Sequence, residues 1–384
     1  MEFVELTEKE FNNVCTNYNE SSFYQTPSWA RIKEKNEWNY YYVGIKEKNN
    51  IIACSLILGK KIYLNKYFYY APRGMILDYN NVDLLNFFVS NLKRFLIEKN
   101  GILLKIDPLV EYQRHDKNGN ILGEENNQSI IDHLKELGFK HHGLTKGYTE
   151  EIQFRWSYCL DIGKSKEEIL KGMDQRCRRC IKKYEKYPLL IENVNEKNIA
   201  DFKKIMEHTA KRQNHFDRSL DYYKSLDKEF KDDSRLSIIY LDKKQFLKDF
   251  KDDRLYDMVS KEIENKIPVS AGVFIFDSKR ANYVYGGTYK EYMPLMAQYK
   301  MQMEMIKTAR KKGLSIYDFG GISGDFTSGS ENYGVYEFKR GFGGYVTEYI
   351  GEFDLILNKP NYILYNYGYK FYRNIKHQIA KIVK

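Results

Sequence analysis

One ordered set of elements occurs twice in this chain, and that repetition limits its fold more than any single motif does. In the first half an apolar strand pattern (IIACSLILGKKI) is followed by an aromatic one closing in glycine (KYFYYAPRG), an amphipathic helix (LLNFFVSNLKRFLIEK) and a short apolar strand (ILLKIDP). In the second half VSAGVFIF, NYVYGGT, MAQYKMQMEMIKTARKKG and LSIYDFGG follow in the same order. Equivalent residues keep nearly constant offsets: Ala53 and Ala271 stand 218 apart, Gly74 and Gly287 213, Gly101 and Gly313 212. Runs rich in β-branched and aromatic residues between turn residues read as strands, and spaced apolar residues read as helix. The expected fold class is therefore α/β (α+β), two copies of one unit in 384 residues, at 1–147 and 148–384. Such a pair usually places its ligand site between the copies.

Other segments fill in the plan. A short helix is expected at Glu8–Tyr18 and a second in PSWARIKEK, where Pro27 suits the first turn. NYYYVGIK reads as a strand, residues 114–128 as a surface loop, and IIDHLKELGF as a short helix. A basic helix over Arg176–Lys183 precedes helices in DFKKIMEHTAKRQ and DRSLDYYKSL, and 241–266 reads as a short helical insertion. YVTEYIGEFDLIL alternates as one strand. After Pro360 a basic, amphipathic helix through FYRNIKHQIAKIVK either packs on the body of the protein or meets a membrane surface.

With 42% hydrophobic and 30% charged residues and seven prolines, the chain reads as an ordered globular protein. The opening MEFVELTEKEFNNV has no apolar run, and no segment reaches the ~18–20 apolar residues of a membrane span, so a cytoplasmic protein is expected. Five scattered cysteines do not make a disulfide framework. Cys177 and Cys180 form a CxxC without the second pair a zinc site requires, so no metal is expected. The net charge of +10 favours an anionic partner, or serves solubility alone.

The segment YEFKRGFGGYV (336–346) admits more than one reading. A phosphate-binding glycine loop must lead into a helix whose first amides meet the anion. Here the glycines lead into a strand pattern, which leaves a turn, either a plain hairpin or a close backbone approach to a ligand beside Lys339. Acetyl-CoA transferases of the GNAT class share a similar α/β unit and hold pyrophosphate on a glycine-containing loop at the start of the central helix. The corresponding starts, YMPLMAQYKMQ and DLLNFFVSN, contain no glycine, so coenzyme A is disfavoured and no cofactor is expected.

The ordered set YQTPSWARIK, LLKIDP, FDRSLDYY, NYVYGGT, YDFGGISGDF and GVYEFKRGFGGYVTEYIG resembles the Fem (FemABX) peptidyltransferases over roughly residues 20–365. The resemblance implies two tandem GNAT-like domains and transfer of an amino acid (Gly, Ala or Ser) from aminoacyl-tRNA to the stem-peptide amine of a peptidoglycan precursor. That precursor is lipid II or UDP-MurNAc-pentapeptide, the former with contact at the inner membrane face; a monomer is expected. Several family members carry a long coiled-coil arm where this chain has 241–266.

The resemblance also implies site residues. Lys339, of the Phe338-Lys339 pair, would stabilise the oxyanion formed when the amine attacks the ester, the other reading being a surface lysine on a strand edge. Asp107 would orient that amine or take its proton, a task open equally to water or the substrate's phosphate. Lys33 and Arg218 match positions that contact the precursor's diphosphate. Tyr222, four residues on, would share a helical face with Arg218. Tyr283 and Tyr285 alternate along one strand and would face one pocket, or pack in the core. Arg176, Arg178, Arg179, Lys182 and Lys183 offer a surface for tRNA phosphates, or a solvated helix face. A catalytically silent relative and an acyl-CoA-dependent N-acyltransferase are the other readings.

Overall fold

The computed structural model describes residues 1–18, 21–147, 152–330 and 332–368. The predicted terminal helix through 371–384 lies outside these. In chain order the strands are β1 (Glu2–Glu5), β2 (Trp38–Glu47), β3 (Asn50–Tyr63), β4 (Lys66–Ala71), β5 (Gly101–Ile106), β6 (Glu111–Asp116), β7 (Ile121–Leu122) and β8 (Phe139–His141). Then come β9 (Trp156–Asp161), β10 (Leu189–Asn193), β11 (Ser234–Asp242), β12 (Lys266–Phe276), β13 (Arg280–Thr288), β14 (Ile316–Ile322), β15 (Tyr345–Tyr349) and β16 (Phe353–Ile356).

They form two sheets, ordered β1-β2-β3-β4-β5-β16-β8 and β10-β11-β12-β13-β14-β9-β15-β6-β7. The repeat is visible in both. β1 to β4 and β10 to β13 run as antiparallel neighbours, and each series closes in a parallel pair, β4–β5 or β13–β14. Parallel neighbours need a crossover long enough for a helix. Val82–Glu98 supplies it in one sheet and Ala297–Lys311 in the other, both on the segments predicted to be amphipathic.

A single boundary at 147/148 does not describe the chain. One compact unit takes in residues 1–112, 125–145 and the segment from Tyr349, and the other takes in 113–124 and 146–348. Two local features produce the exchange. Residues 114–128, expected as a loop, include the β6–β7 hairpin, whose turn is pinned by Asp116 accepting from the amides of Asn118 (2.8 Å) and Asn120 (2.9 Å). YVTEYIGEFDLIL is not one strand. It breaks at Gly351 (φ +89°), so β15 ends in the second sheet and β16 pairs with β5 and β8 in the first. The 241–266 segment folds as two short helices, Lys243–Asp249 and Tyr256–Lys261, with Phe246 and Val259 buried in the core.

The hairpin is fastened inside the second unit by a buried ionic group. Glu348 on β15 accepts from Arg155 (2.7 Å) and contacts His115 Nε2 on β6 (2.8 Å), while His115 Nδ1 meets the Gly119 carbonyl (3.2 Å). All three side chains are almost fully enclosed. Removing one partner of a buried pair leaves an uncompensated charge, a loss of about 3–5 kcal/mol. Arg155→Met is therefore expected to lower unfolding free energy by about 3 kcal/mol in urea titration.

Candidate active site

In the second unit the β13–β14 ladder runs only from Arg280–Ile316 to Asn282–Asp318, although both strands continue beyond it. Where they part, β14 contributes Gly320 and Gly321. The Gly320 Cα lies close to the Tyr283 carbonyl, and a Cβ placed there would sit 3.1 Å from that oxygen. The helix Tyr333–Arg340 delivers Lys339 to this point from its last turn, a position that suits a cation near the helix's partial negative end. The lysine is not on a strand edge. It is 6% exposed, and Nζ donates to the Gly321 carbonyl at 2.7 Å. That carbonyl is the one acceptor it meets among the described residues, leaving two of its three N–H groups without a protein partner there.

The glycines after it form the turn from helix to β15. Gly343 (φ +79°) and Gly344 (φ +99°) both need the left-handed region. A Cβ on Gly344 would also lie 2.2 Å from the Cys159 carbonyl, and one on Gly343 2.8 Å from that of Gly172. These glycines bring the backbone against β9 and the 166–172 helix. No helix begins here.

Burial pulls the Lys339 ammonium down from its ordinary value to about 8, opposed by the negative charge of Asp318. It stays mostly protonated at pH 7. Asp318 is itself buried; its carboxylate accepts from the Gly320 amide (2.8 Å) and the Ser157 hydroxyl, with Arg280 at 3.9 Å. Burial and the Asp318 charge push the neighbouring Cys159 thiol up to about 12, so it stays neutral.

The rest of the lysine's helix ties into the basic helix. Phe338 packs edge-on against Tyr299 and Phe342, with ring centroids 5.1 and 5.4 Å apart. Tyr336 donates to the Lys117 carbonyl in the hairpin (2.7 Å), and Glu337 pairs with Arg176 (2.9 Å). The basic helix, Gln175–Tyr184, begins where the Asp174 amide donates to the Gly341 carbonyl (2.9 Å). Its five cations have different surroundings. Arg176 holds Glu337, Arg178 donates to the Met173 carbonyl, Arg179 and Lys182 are exposed, and Lys183 is half-buried. Cys177 is buried on the opposite side, and Cys180 is partly so.

Arg218, Tyr222 and Tyr285 meet, by a different geometry from the one expected. Ser219 caps the helix Leu220–Phe230, so Arg218 precedes that helix and shares no face with Tyr222. Its guanidinium instead stands over the Tyr222 ring at 5.3 Å, a cation–π contact. The Tyr222 and Tyr285 hydroxyls are 3.3 Å apart. Tyr283 does not join them. A bulge pairs Tyr285 with Val273 but Tyr283 with Phe274, the very next residue of β12, so the two tyrosines point to opposite faces of the sheet. Tyr283 stacks on Phe274 and donates to Gln298 (3.3 Å). Its ring lies over Gly286, where a Cβ would come within 1.5 Å of the hydroxyl.

The first unit holds the other two predicted residues. Lys33, on the helix Pro27–Glu34, stands over the Trp29 ring at 4.7 Å and the Trp38 ring at 5.9 Å. Asp107, just past β5, is 2% exposed and accepts from the Tyr70 hydroxyl (2.8 Å) and the Arg73 amide (2.7 Å). Burial pushes its carboxyl up to about 7, against the Arg73 charge and these bonds. Sequence reading did not single out Asp318, Ser157, Arg280 or Tyr336. Asp318 lies within the quoted YDFGG, where an acidic residue between two aromatics in a buried strand was an available signal.

Among the described residues no helix is long and apolar enough to cross a membrane, and no group of three metal-ligating side chains occurs. A profile of the FemAB family matches residues 6–256 and 251–370. The chain is 30% identical over 410 residues to "Aminoacyltransferase FemA" of Staphylococcus epidermidis, covering 95% of this chain and 98% of that one. It is 29% identical over 412 residues to the same-named protein of Staphylococcus aureus, covering 95% and 97%. The crystal structure of FemX superimposes with a TM-score of 0.81 at 25% identity, over 95% of this chain and 99% of that one. A tandem GNAT protein from the clavulanic acid biosynthesis pathway shares the fold alone, with a TM-score of 0.51 at 6% identity over 93% and 98%.

The two shifted groups make stability depend on pH in opposite directions. Lys339 titrates lower in the folded chain than when unfolded, so its burial opposes folding below pH 8 and that opposition fades toward pH 10.5. Lys339→Met is expected to be more stable than the parent near pH 7, with the gap closing by pH 10.5 in urea titrations. Asp107 titrates higher when folded, so its contribution is present near pH 4 and lost as pH rises to 7. Asp107→Asn is expected to lack that decline in the same measurement.

Proposed function

The chain belongs to the FemAB family, and from that premise we propose that it is an aminoacyltransferase acting on a peptidoglycan precursor. The donor in this reading is aminoacyl-tRNA, carrying Gly, Ala or Ser. The acceptor is the side-chain amine of the stem peptide in lipid II or UDP-MurNAc-pentapeptide. The observation that carries the reading is the buried Lys339 ammonium with two N–H groups still to donate, set where β13 and β14 part.

The ester of aminoacyl-tRNA is already activated, so the chemistry needs an uncharged amine and a place for negative charge. Attack of the amine nitrogen on the ester carbon forms the new C–N bond and moves the carbonyl electrons onto oxygen. Lys339 donates to that oxyanion in a site with little water, where a fixed cation acts more strongly than in solution. Collapse re-forms the carbonyl and expels the tRNA hydroxyl. The nitrogen's proton leaves to water, to the substrate's phosphate or to Asp107, whose carboxylate accepts one bond on each oxygen. Phe338 keeps the lysine's helix seated against Tyr299 and Phe342.

The anionic parts of both substrates find cations to meet. Arg179 and Lys182 are exposed on a helix bonded directly to the lysine's own, which suits a tRNA acceptor end. Arg218 with Tyr222 and Tyr285, and separately Lys33 on its two tryptophans, suit the precursor's diphosphate and nucleotide or sugar rings.

Two experiments test this. Incubation with separately charged tRNAs and both precursors should give one aminoacylated product by mass. Lys339→Met should lower kcat about 100-fold or more with precursor binding kept; no product with any donor–acceptor pair would remove the proposal. Paired reversal, Arg179→Glu with Lys182→Glu, should weaken tRNA binding. It should also reduce the slope of log K against log salt by about 1.5, because each phosphate a cation neutralises adds ~0.7–0.9 to that slope.

A further inference from the structure

The lysine's two neighbours on β14 are held in place by an acidic residue that the proposed chemistry does not use. Asp318 is 6% exposed and sits at the last rung of the β13–β14 ladder. Its Oδ1 accepts from the Gly320 amide at 2.8 Å and from the Ser157 hydroxyl on β9, and Oδ2 faces Arg280 on β13. Gly320 takes φ +78°, and the carbonyl of the residue after it, Gly321, accepts from the Lys339 ammonium. One carboxylate thus fixes the turn whose carbonyl receives the lysine.

We propose that Asp318 is the positioning residue of the Lys339 cation, fixing the Gly320–Gly321 turn to which the ammonium is bonded and supplying the negative charge that keeps it protonated. The proposal rests on Lys339 being the oxyanion donor. Groups around the pair come from every adjoining strand: Cys159 on β9, Arg280 and Tyr283 on β13, Tyr345 on β15. Burial raises the thiol and both phenols above their ordinary ranges, so all three stay neutral at working pH. On the lysine's own helix Glu337 is paired with Arg176, and Arg340 faces Asp174 at 4.0 Å. Among the described residues Asp318 is the carboxylate whose charge raises the lysine's proton affinity against its burial, and Arg280, facing that carboxylate, would offset its charge.

A merely structural carboxylate would lower activity without moving a titration. Asp318→Asn, nearly the same shape, keeps an acceptor for the Gly320 amide but loses the charge. Two readouts on the full chain separate the possibilities. The first is the pH window over which Lys339→Met and its parent converge in stability, which reports the lysine's proton without any catalysis. The second is the basic limb of kcat against pH, with KM followed alongside.

Asp318→Asn should move both windows down by about one unit, with kcat at pH 8 falling several-fold and KM within about twofold. Arg280→Gln should move both windows up. An unmoved stability window in Asp318→Asn would overturn the proposal. If that variant does not fold, Arg280→Gln decides: an upward shift upholds the coupling, and no shift overturns it. A shifted stability window with no basic limb in kcat would uphold the Asp318–Lys339 coupling and remove the catalytic reading of Lys339 instead.

Discussion

Enclosing an ammonium group strips away hydration that only fixed dipoles and charges can replace, and the middle of the second unit is arranged to meet that demand for Lys339. The ladder between β13 and β14 stops at Asn282 and Asp318, and beyond it the carbonyl of Gly321, a residue still paired with Ser157 of β9, accepts from the lysine. The last turn of a helix brings its partial negative end to the same place. Asp318 contributes the formal charge. The Gly343–Gly344 turn lets the chain pass within contact of β9 directly after the lysine, so the helix ends there and β15 begins.

Each unit sets a buried carboxylate at the open end of its parallel strand pair, and the surroundings differ in a way that matters. Asp107 faces a backbone amide and a phenol, and burial leaves it with a proton affinity near neutrality. Asp318 has an arginine within 4 Å and accepts from a glycine amide and a serine. The first fastens the end of β4 to β5, and the second shapes the shelf under a cation. One strand plan, used twice, thus supports two different electrostatic environments because the residues after the last parallel pair differ: Asp107-Pro108 in one copy, Phe319-Gly320-Gly321 in the other.

The strand and helix segments of both copies were legible because apolar periodicity over eight or more residues leaves little choice of element. Which sheet a strand joins was not legible. β6 and β7 carry polar residues that read as loop, and their place depends on Glu348, more than two hundred residues away. YVTEYIGEFDLIL alternates without interruption, and its division between two sheets turns on one glycine with positive φ. The pairing of Tyr283 with Tyr285 failed for a similar reason, since a single bulged residue reverses a face assignment made by counting twos.

By itself the sequence determined the doubled α/β plan, the absence of a glycine loop leading into a helix, and Lys339 beside a glycine turn as the point of interest. Local residue types set those features, and local spacing records them. Only the tertiary structure decided that Lys339 is enclosed and lies on a helix, that Arg176 and Arg178, exposed like Arg179 and Lys182, have partners within the chain, and that Asp318 stands behind the cation. Burial and the pairing of charges arise from residues far apart in the chain, so they exist only once the sheets have formed.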